Sequence, residues 1–235
     1  MSPKPSFQTT NRILSRLSKT DFVLVESQLS PVDLPLRKQL ELSRRPIEHV
    51  YFPDSGILSV VANGDDKRSI EVGLIGREGM SGLAVVMGTD RSPHQTFVQS
   101  AGRGWRIRSD DLRAAIAKSV ALHQRFLLYA HAFLLQTGYT AMANGRSKIE
   151  DRLARWLLMA HDRTDGDTLS LTHEFLSVML GVRRPGVTHA LNLLERTGLI
   201  HASRGTITIV DREGLIESSN GAYGAPEAEL NRLFG

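Results

Sequence analysis

Short runs of alternating apolar and polar residues dominate the first half of the chain. Between Leu34 and Ile107 they are separated by turns rich in glycine, proline, asparagine and aspartate. This pattern predicts short antiparallel strands that close into a barrel or roll of the jelly-roll type. The predicted strands are Leu36–Leu42, Ile47–Phe52, Ile57–Ala62, Ser69–Ile75, Leu83–Met87, Thr96–Ala101 and Gly104–Ile107.

The polar N-terminus precedes this β region. Residues 1–10 contain two prolines and are expected to be disordered. Two short helices are expected at 11–17 and 20–28, with Asn11 and Thr20 as N-caps, because both side chains can accept a hydrogen bond from a free backbone N–H.

A helical period replaces the strand pattern after residue 108. Ser109, which two aspartates follow, is expected to cap a helix that runs to about residue 118. The next predicted helix spans residues 120–143, and its apolar residues cover more than one side. One side faces the β-roll. The other is expected to pair with the same helix of a second subunit, and burial within a monomer is the alternative.

The stretch from Leu171 to Ile200 predicts two short helices joined by a tight turn at Gly181. A glycine supplies the positive φ that ends the first helix, and the small Ser177 lets the second helix approach. The second helix is predicted from about Arg184 to Arg196. Apolar residues bury the seam between the two helices: Leu176, Leu180, Val182, Val187 and Ala190. This is the pattern of a helix-turn-helix, whose second helix enters the DNA major groove.

Alternating residues after this motif predict a β-hairpin. Leu199-Ile200 begins one strand and 206–210 forms the other, with Arg204 and Gly205 at the tip. A helix-turn-helix followed by such a hairpin is a winged helix, which favours DNA binding.

The segments around the winged helix complete the predicted layout. Asn144-Gly145 is expected to form a hinge, and Ser147 with Glu150 a capping box for the next helix. A short amphipathic segment, Glu227–Phe234, is expected to pack back on the winged-helix domain. The fold class is therefore α+β. The expected domains are an N-terminal β-roll (1–118), a dimerisation helix with its hinge (119–145) and a winged-helix domain with its tail (146–235).

Composition limits the compartment and the cofactors. The chain has no cysteine, which excludes disulfides and thiolate-bound iron–sulfur clusters. It shows no apolar run long enough to span a bilayer and no apolar segment typical of a signal peptide near residue 1, so a cytoplasmic protein without a membrane partner is expected. The formal net charge of +4 favours an anionic partner only weakly.

The order of β-roll, long helix, glycine-containing junction and winged helix resembles the Crp/Fnr superfamily of bacterial transcription regulators. The resemblance covers residues 15–212, and its C-terminal part is the specific one. It implies a homodimer that binds a two-fold symmetric site on double-stranded DNA. It also implies a signal sensed in the β-roll, whose domain is similar to cyclic-nucleotide-binding domains, and RNA polymerase as a further partner if the protein activates transcription.

The resemblance also implies the DNA contacts. The residues at the positions that read bases and nearby phosphates are Arg183, Arg184, Pro185, Thr188 and His189, and those at positions that touch the DNA backbone are Thr172 and Arg204. Arg184 matches the arginine that reads guanine. Pro185 replaces a frequent glutamate and His189 a frequent arginine. Since proline accepts no hydrogen bond from cytosine, we expect a target that differs from the common half-site of the family.

The sensory half departs further from the family. The segment Gly79–Ala84 lacks the glutamate that would take a ribose hydroxyl, and Arg91 lies in a turn rather than on the strand that holds a cyclic phosphate. Cyclic AMP is therefore not expected as the ligand. Haem or metal ligation is also not expected, because the candidate histidines show no ligand spacing: His49, His94, His123 and His131. No cofactor is predicted, and the effector is unknown.

Two other classes of function fit the sequence less well. A small-molecule-binding β-roll whose winged helix contacts proteins is disfavoured by the clustered arginines. An enzyme is disfavoured because the chain lacks the G-x-S-x-G, P-loop and H-E-x-x-H motifs and a cysteine nucleophile.

Overall fold

A computed structural model describes residues 8–64 and 69–235 of the protein. Residues 1–7 of the expected disordered segment, and part of the predicted turn at 63–66, lie outside the described residues. The strands are β1 (Ser30–Leu34), β2 (Gln39–Glu41), β3 (His49–Pro53), β4 (Ile57–Asn63), β5 (Ser69–Ile75), β6 (Gln95–Ser100), β7 (Gly102–Arg108), β8 (Thr168–Ser170), β9 (Ile200–Ser203) and β10 (Thr206–Ile209). The helices are α1 (Lys19–Glu26), α2 (Leu83–Val86), α3 (Ser109–Ile116), α4 (Val120–Arg146), α5 (Ile149–His161), α6 (His173–Met179), α7 (Arg184–Arg196), α8 (Arg212–Ser218) and α9 (Ala225–Phe234).

Two antiparallel sheets form the β-roll. One has the strand order β1-β7-β3 and the other β2-β6-β4-β5. Apolar side chains from both sheets share one core with α4, including Phe52, Leu58 and Phe126. The α+β class and the β-roll predicted from the alternating pattern are confirmed.

Two predictions about the strands are wrong. The run Leu83–Met87 forms the short helix α2 instead of a strand, after Gly82 at a φ of 71°. A short run in which every residue is apolar carries no period to tell a helix from a strand. The β region also begins earlier than Leu34, because β1 starts at Ser30. Pro31 lies in this edge strand, where a missing N–H is tolerated.

The N-terminal caps also differ from the prediction. Asn11 does not begin an α-helix, since only a single 3₁₀ turn at Leu14–Arg16 follows it. Its buried amide donates instead to the carbonyl oxygens of Pro53 and Gly79, at 2.9 and 2.8 Å. Ser18, not Thr20, caps α1.

Ser109 is the first residue of α3 rather than its cap. Arg108 is the N-cap residue and makes no side-chain cap bond. The Ser109 hydroxyl donates to the Ile47 carbonyl oxygen, so it ties α3 to the segment before β3 instead of capping its own helix.

The long helix α4 runs without a break from Val120 to Arg146 and is capped by Ser119. The predicted hinge at Asn144-Gly145 is wrong, because both residues lie in the last turn of this helix. A glycine costs a helix only ~1 kcal/mol and need not end it. The predicted capping box is also absent: α5 starts after Lys148, which makes no side-chain cap bond.

The second core joins the winged-helix domain to the β-roll. It is formed by α5 to α8, a sheet of order β8-β10-β9 and apolar side chains of β4 and β5, including Val61 and Leu74. Gly181 has a φ of 62°, as the turn requires, and α7 begins and ends at the predicted residues. Among the described residues, none of the helices combines the length and apolar character needed to cross a membrane.

The C-terminal helix α9 does not pack on the winged-helix domain, contrary to the prediction. It lies along α4, and Phe234 is buried in the core of the β-roll. Its amphipathic pattern predicts a buried face but does not tell which surface covers that face.

Candidate nucleic-acid interface

The start of α7 is presented to solvent. Arg183 is the extended N-cap residue, and Pro185 occupies the first turn, where its missing N–H breaks no hydrogen bond. Arg183, Arg184, Pro185 and His189 are all exposed. The opposite face of the helix is held in the core by Val187, Ala190, Leu191 and Leu194. The buried face therefore fixes which side chains point outward.

The arginines of this surface differ from two arginines elsewhere in the protein that form ion pairs. Within the part of the chain that the structure describes, Arg183, Arg184 and Arg204 form no ion pair or side-chain hydrogen bond. Arg163, by contrast, donates to Glu78 at 2.8 Å, and Arg212 to Asp162 at 2.6 Å. The three exposed guanidinium groups are thus available to an anionic partner.

Thr188 links the two helices of the motif. Its hydroxyl donates to the Arg184 carbonyl oxygen at 3.2 Å, and His173 Nδ1 lies 3.1 Å from the same hydroxyl oxygen. Thr188 is half-buried, and its hydroxyl is engaged within the motif. His173 is not among the predicted site residues. Its position next to Thr172 at the start of α6 is the feature of the sequence that could have indicated it.

The outer members of the predicted site lie on α6 and on the wing. Thr172 caps α6, and its hydroxyl oxygen accepts from the Phe175 N–H at 3.2 Å. The hydroxyl hydrogen remains available for a phosphate oxygen. Arg204 is exposed in the β9–β10 turn, next to Gly205 at a φ of 79°.

Glu195 supports the wing and, like His173, is not among the predicted site residues. Its carboxylate accepts from the Ala202 N–H at 2.9 Å and lies 3.2 Å from His201 Nδ1. The end of α7 therefore fixes the start of the hairpin.

A cavity of about 470 Å³ separates the sheet of β2, β6, β4 and β5 from α4. Its walls are mainly apolar and include Val60, Ile75, Phe133 and Leu134. Among the described residues, no arginine or lysine lines it. Arg91 is exposed and paired with the neighbouring Asp90 at 2.8 Å, away from the wall.

Glu41 is the carboxyl group of this cavity. It is buried and accepts from the Gly82 N–H at 2.6 Å. Burial raises the pKa of Glu41, although hydrogen bonds from Gly82, Ser81 and Thr96 act in the opposite direction. Of the residues that the structure describes, the cavity therefore offers an acceptor, or a neutral acid, and no arginine or lysine for a phosphate.

The four candidate histidines do not come together. His94 and His131 line the cavity, whereas His123 Nε2 lies 2.8 Å from the Val86 carbonyl oxygen and His49 lies on β3. No group of three metal-ligating side chains is found in residues 8–64 and 69–235.

Comparisons with known proteins agree with this architecture. The family model of the Crp-like helix-turn-helix domain matches residues 151–218. A search of curated protein sequences finds no match.

Solved structures with similar folds cover most of the chain. A protein described as a transcriptional regulator of the Crp/Fnr family from Eubacterium rectale has 18% sequence identity and a TM-score of 0.71, over 88% of this chain and 97% of its own. FixK2 from Bradyrhizobium japonicum has 16% identity and a TM-score of 0.70, over 80% of this chain and 96% of its own. The c-di-GMP responsive regulator CLP from Xanthomonas campestris has 19% identity and a TM-score of 0.65, over 82% and 99%. The chain therefore has the fold of the Crp/Fnr superfamily of transcription regulators and carries its Crp-like helix-turn-helix domain at residues 151–218.

Proposed function

We propose that the protein is a sequence-specific transcription regulator that binds a two-fold symmetric DNA site as a homodimer. The observation that carries this proposal is the exposed start of α7, where Arg183 and Arg184 have no partner among the described residues. Arginines held in the interior would be compensated, as Arg163 is by Glu78. Free guanidinium groups at the start of a recognition helix suit phosphates and guanine edges.

Each predicted site residue has a separate role in this proposal. Arg184 reads a guanine through two parallel hydrogen bonds, and Arg183 contacts a neighbouring phosphate. Thr172 and Arg204 contact the backbone from α6 and from the wing. The methyl group of Thr188 and the ring of His189 face the groove.

Pro185 offers no acceptor in the first turn of α7. A cytosine amino group opposite this position gains no hydrogen bond, so the preferred half-site differs from one read by a glutamate.

An exposed apolar stripe on α4 supports the homodimer. Leu127, His131, Leu134, Gly138 and Ala141 recur at alternating spacings of four and three residues, and all are exposed. Leu134 is 68% exposed. A seam with this spacing is buried when two such helices pair, and the missing side chain of Gly138 permits a close approach. A monomer would leave the stripe in water.

The proposal is tested first by an unbiased selection of duplexes with the full-length protein. The dissociation constant for the best duplex is then measured with Arg184→Gln and with Arg196→Gln, an exposed arginine at the far end of the same helix. We expect Arg184→Gln to weaken binding ~10- to 100-fold and to relax one base position. Arg196→Gln should keep the same base preference as the parent protein. Failure to enrich any duplex would refute sequence-specific DNA binding. It would favour the alternative in which the winged helix contacts proteins.

We also propose that the cavity between the sheet and α4 senses an uncharged, mainly apolar molecule rather than a cyclic nucleotide. The absence of a lining cation in the described walls and the single carboxyl group of Glu41 support this. A bound phosphate there would leave its charge uncompensated. Titration with 1-decanol, sodium decanoate and cyclic AMP tests the choice: decanol should bind most tightly. Tighter binding of decanoate or cyclic AMP would overturn it.

A further inference from the structure

The last residues of the chain form a second covalent path between the two domains, which also contact each other directly through Glu71 with Trp156 and Glu78 with Arg163. Residues 219–235, called the strap below, follow α8 and end in α9. They lie beyond residues 151–218, which match the helix-turn-helix family model. The first connection is the junction between α4 and α5 at Ser147 and Lys148. The strap leaves the winged-helix domain and returns to the β-roll, so the two connections form a closed loop.

One end of the strap is fixed to the winged-helix domain. Arg155 on α5 donates from Nε to the Ala222 carbonyl oxygen at 2.9 Å. The Tyr223 hydroxyl donates to Asp162 at 2.7 Å and accepts from Arg212 at 2.8 Å. These contacts hold the segment before α9 against α5.

The other end is fixed to α4 and the β-roll. Phe234 is 1% exposed, and its ring meets Tyr129 edge-on at 6.3 Å between centroids. The guanidinium of Arg125 lies 4.6 Å from the centre of the Phe234 ring. Arg12, before the β-roll, donates to Asn231 at 3.2 Å. Leu230 and Leu233 pack on the same core.

If α9 served only to cover α4, the residues before it would not need to be hydrogen-bonded to the winged-helix domain. The strap has both a seated apolar end and a hydrogen-bonded polar end, with only Gly224 between Tyr223 and α9. A connection this short and anchored at both ends limits the rotation of one domain against the other.

We propose that the strap holds the winged-helix domain in a fixed orientation against α4 and thereby presets the position of α7. Preset orientation lowers the entropy lost when two recognition helices meet half-sites one DNA turn apart. This consequence for DNA rests on the function proposed above, whereas the restraint between the domains does not.

The decisive variant lengthens the strap without disturbing either anchor. Ten glycine and serine residues are inserted after Tyr223, which keeps the contacts of Ala222, Tyr223 and α9. The matched control appends the same ten residues after Gly235. Phe234→Ala is a second variant, which unseats the helix.

Because the chain has no cysteine, Glu26→Cys and Arg196→Cys give two unique labelling sites. Both are exposed, one on the β-roll side and one on α7. Spin labels report the distribution of distances between the domains, with doubly labelled subunits diluted into unlabelled protein.

We expect the insertion and Phe234→Ala both to broaden this distribution, and the appended control to match the parent. On the selected duplex, the insertion should raise the dissociation constant roughly tenfold. An unchanged distribution in the insertion variant would overturn the proposal and leave α9 as a part of the β-roll core. If the distance distribution broadens but the parent protein binds no duplex, the restraint between the domains is supported and the proposed function as a DNA-binding regulator is refuted.

Discussion

Glu71 on β5 offers a test of how the two cores are joined. Its carboxylate is 4% exposed and accepts from the Ser59 hydroxyl at 2.5 Å and from Trp156 Nε1 at 2.6 Å. Ser59 belongs to β4 and Trp156 to α5, so the bond to Trp156 crosses between the domains. Burial raises the pKa of Glu71 to about 7, although both hydrogen bonds and the nearby Arg163 and Arg155 lower it.

The magnitude follows from the pKa. A rise from 4.5 to about 7 disfavours the ionised form by about 3 kcal/mol, since each tenfold change in proton affinity is about 1.4 kcal/mol. The folded protein therefore binds this proton more tightly than the unfolded chain does. By linkage, this contribution to stability is fully present below pH 4.5 and is lost as the pH rises through about 7.

The perturbation is Glu71→Gln, which keeps an acceptor for Trp156 and cannot ionise. We expect the variant to exceed the parent in free energy of unfolding by about 2–3 kcal/mol at pH 8, and the gap to close by pH 5. Urea unfolding at a series of pH values, followed by tryptophan fluorescence, measures the gap. Glu174→Gln, an exposed carboxyl on α6, is the matched control.

Parallel stability profiles of the parent and Glu71→Gln between pH 5 and pH 8 would refute this reasoning. They would mean that Glu71 binds its proton no more tightly in the folded protein than in the unfolded chain. A gap that widens toward low pH would reverse the sign and point to a carboxylate stabilised by Arg155 and Arg163 instead.

Three further results are expected. Leu134→Glu should raise the dimer dissociation constant measured by sedimentation at least ~100-fold, because pairing would bury an uncompensated charge. The control Val23→Glu, at an exposed site on α1, should leave this constant unchanged. An unchanged constant in Leu134→Glu would exclude α4 as the dimer seam. Arg204→Gln should lower the slope of log affinity against log salt by about 1 and leave the sequence preference intact; an altered preference would make Arg204 a base reader. Gly181→Ala should cost about 1–2 kcal/mol of unfolding free energy, because its φ is +62° and Ile70 already lies 3.0 Å from the added Cβ; a smaller loss would show that the turn relaxes.

The parts of the fold that follow from local chemistry are visible in the sequence. The bounds of α7 and the turn at Gly181 depend on neighbouring residues, and both predictions are confirmed. Leu83–Met87 shows the limit, since a short run of apolar residues alone has no polar face to set a period. Asn144-Gly145 shows another, because the preceding turns of α4 carry the helix past a residue of low propensity.

The contacts between the domains could not be predicted from the sequence. Glu71 and Trp156 are 85 residues apart, and nothing local marks either as the partner of the other. The destination of α9 is the same kind of problem, because Leu230, Leu233 and Phe234 define an apolar face that fits any apolar groove. The residues proposed to contact DNA are easier to predict from the sequence, since a buried seam dictates which side of α7 remains exposed.

The cavity and the proposed dimer seam share one helix surface, which links sensing to assembly. Leu127 and Leu134 line the cavity and also belong to the exposed stripe of α4. A ligand that packs against Leu134 changes the apolar surface left for the partner helix. By thermodynamic reciprocity, any effect of that ligand on pairing is matched by an equal effect of pairing on ligand affinity. The 1-decanol titration is therefore informative at two protein concentrations, above and below the dimer dissociation constant. Equal affinity at both would show that the cavity and the seam are independent.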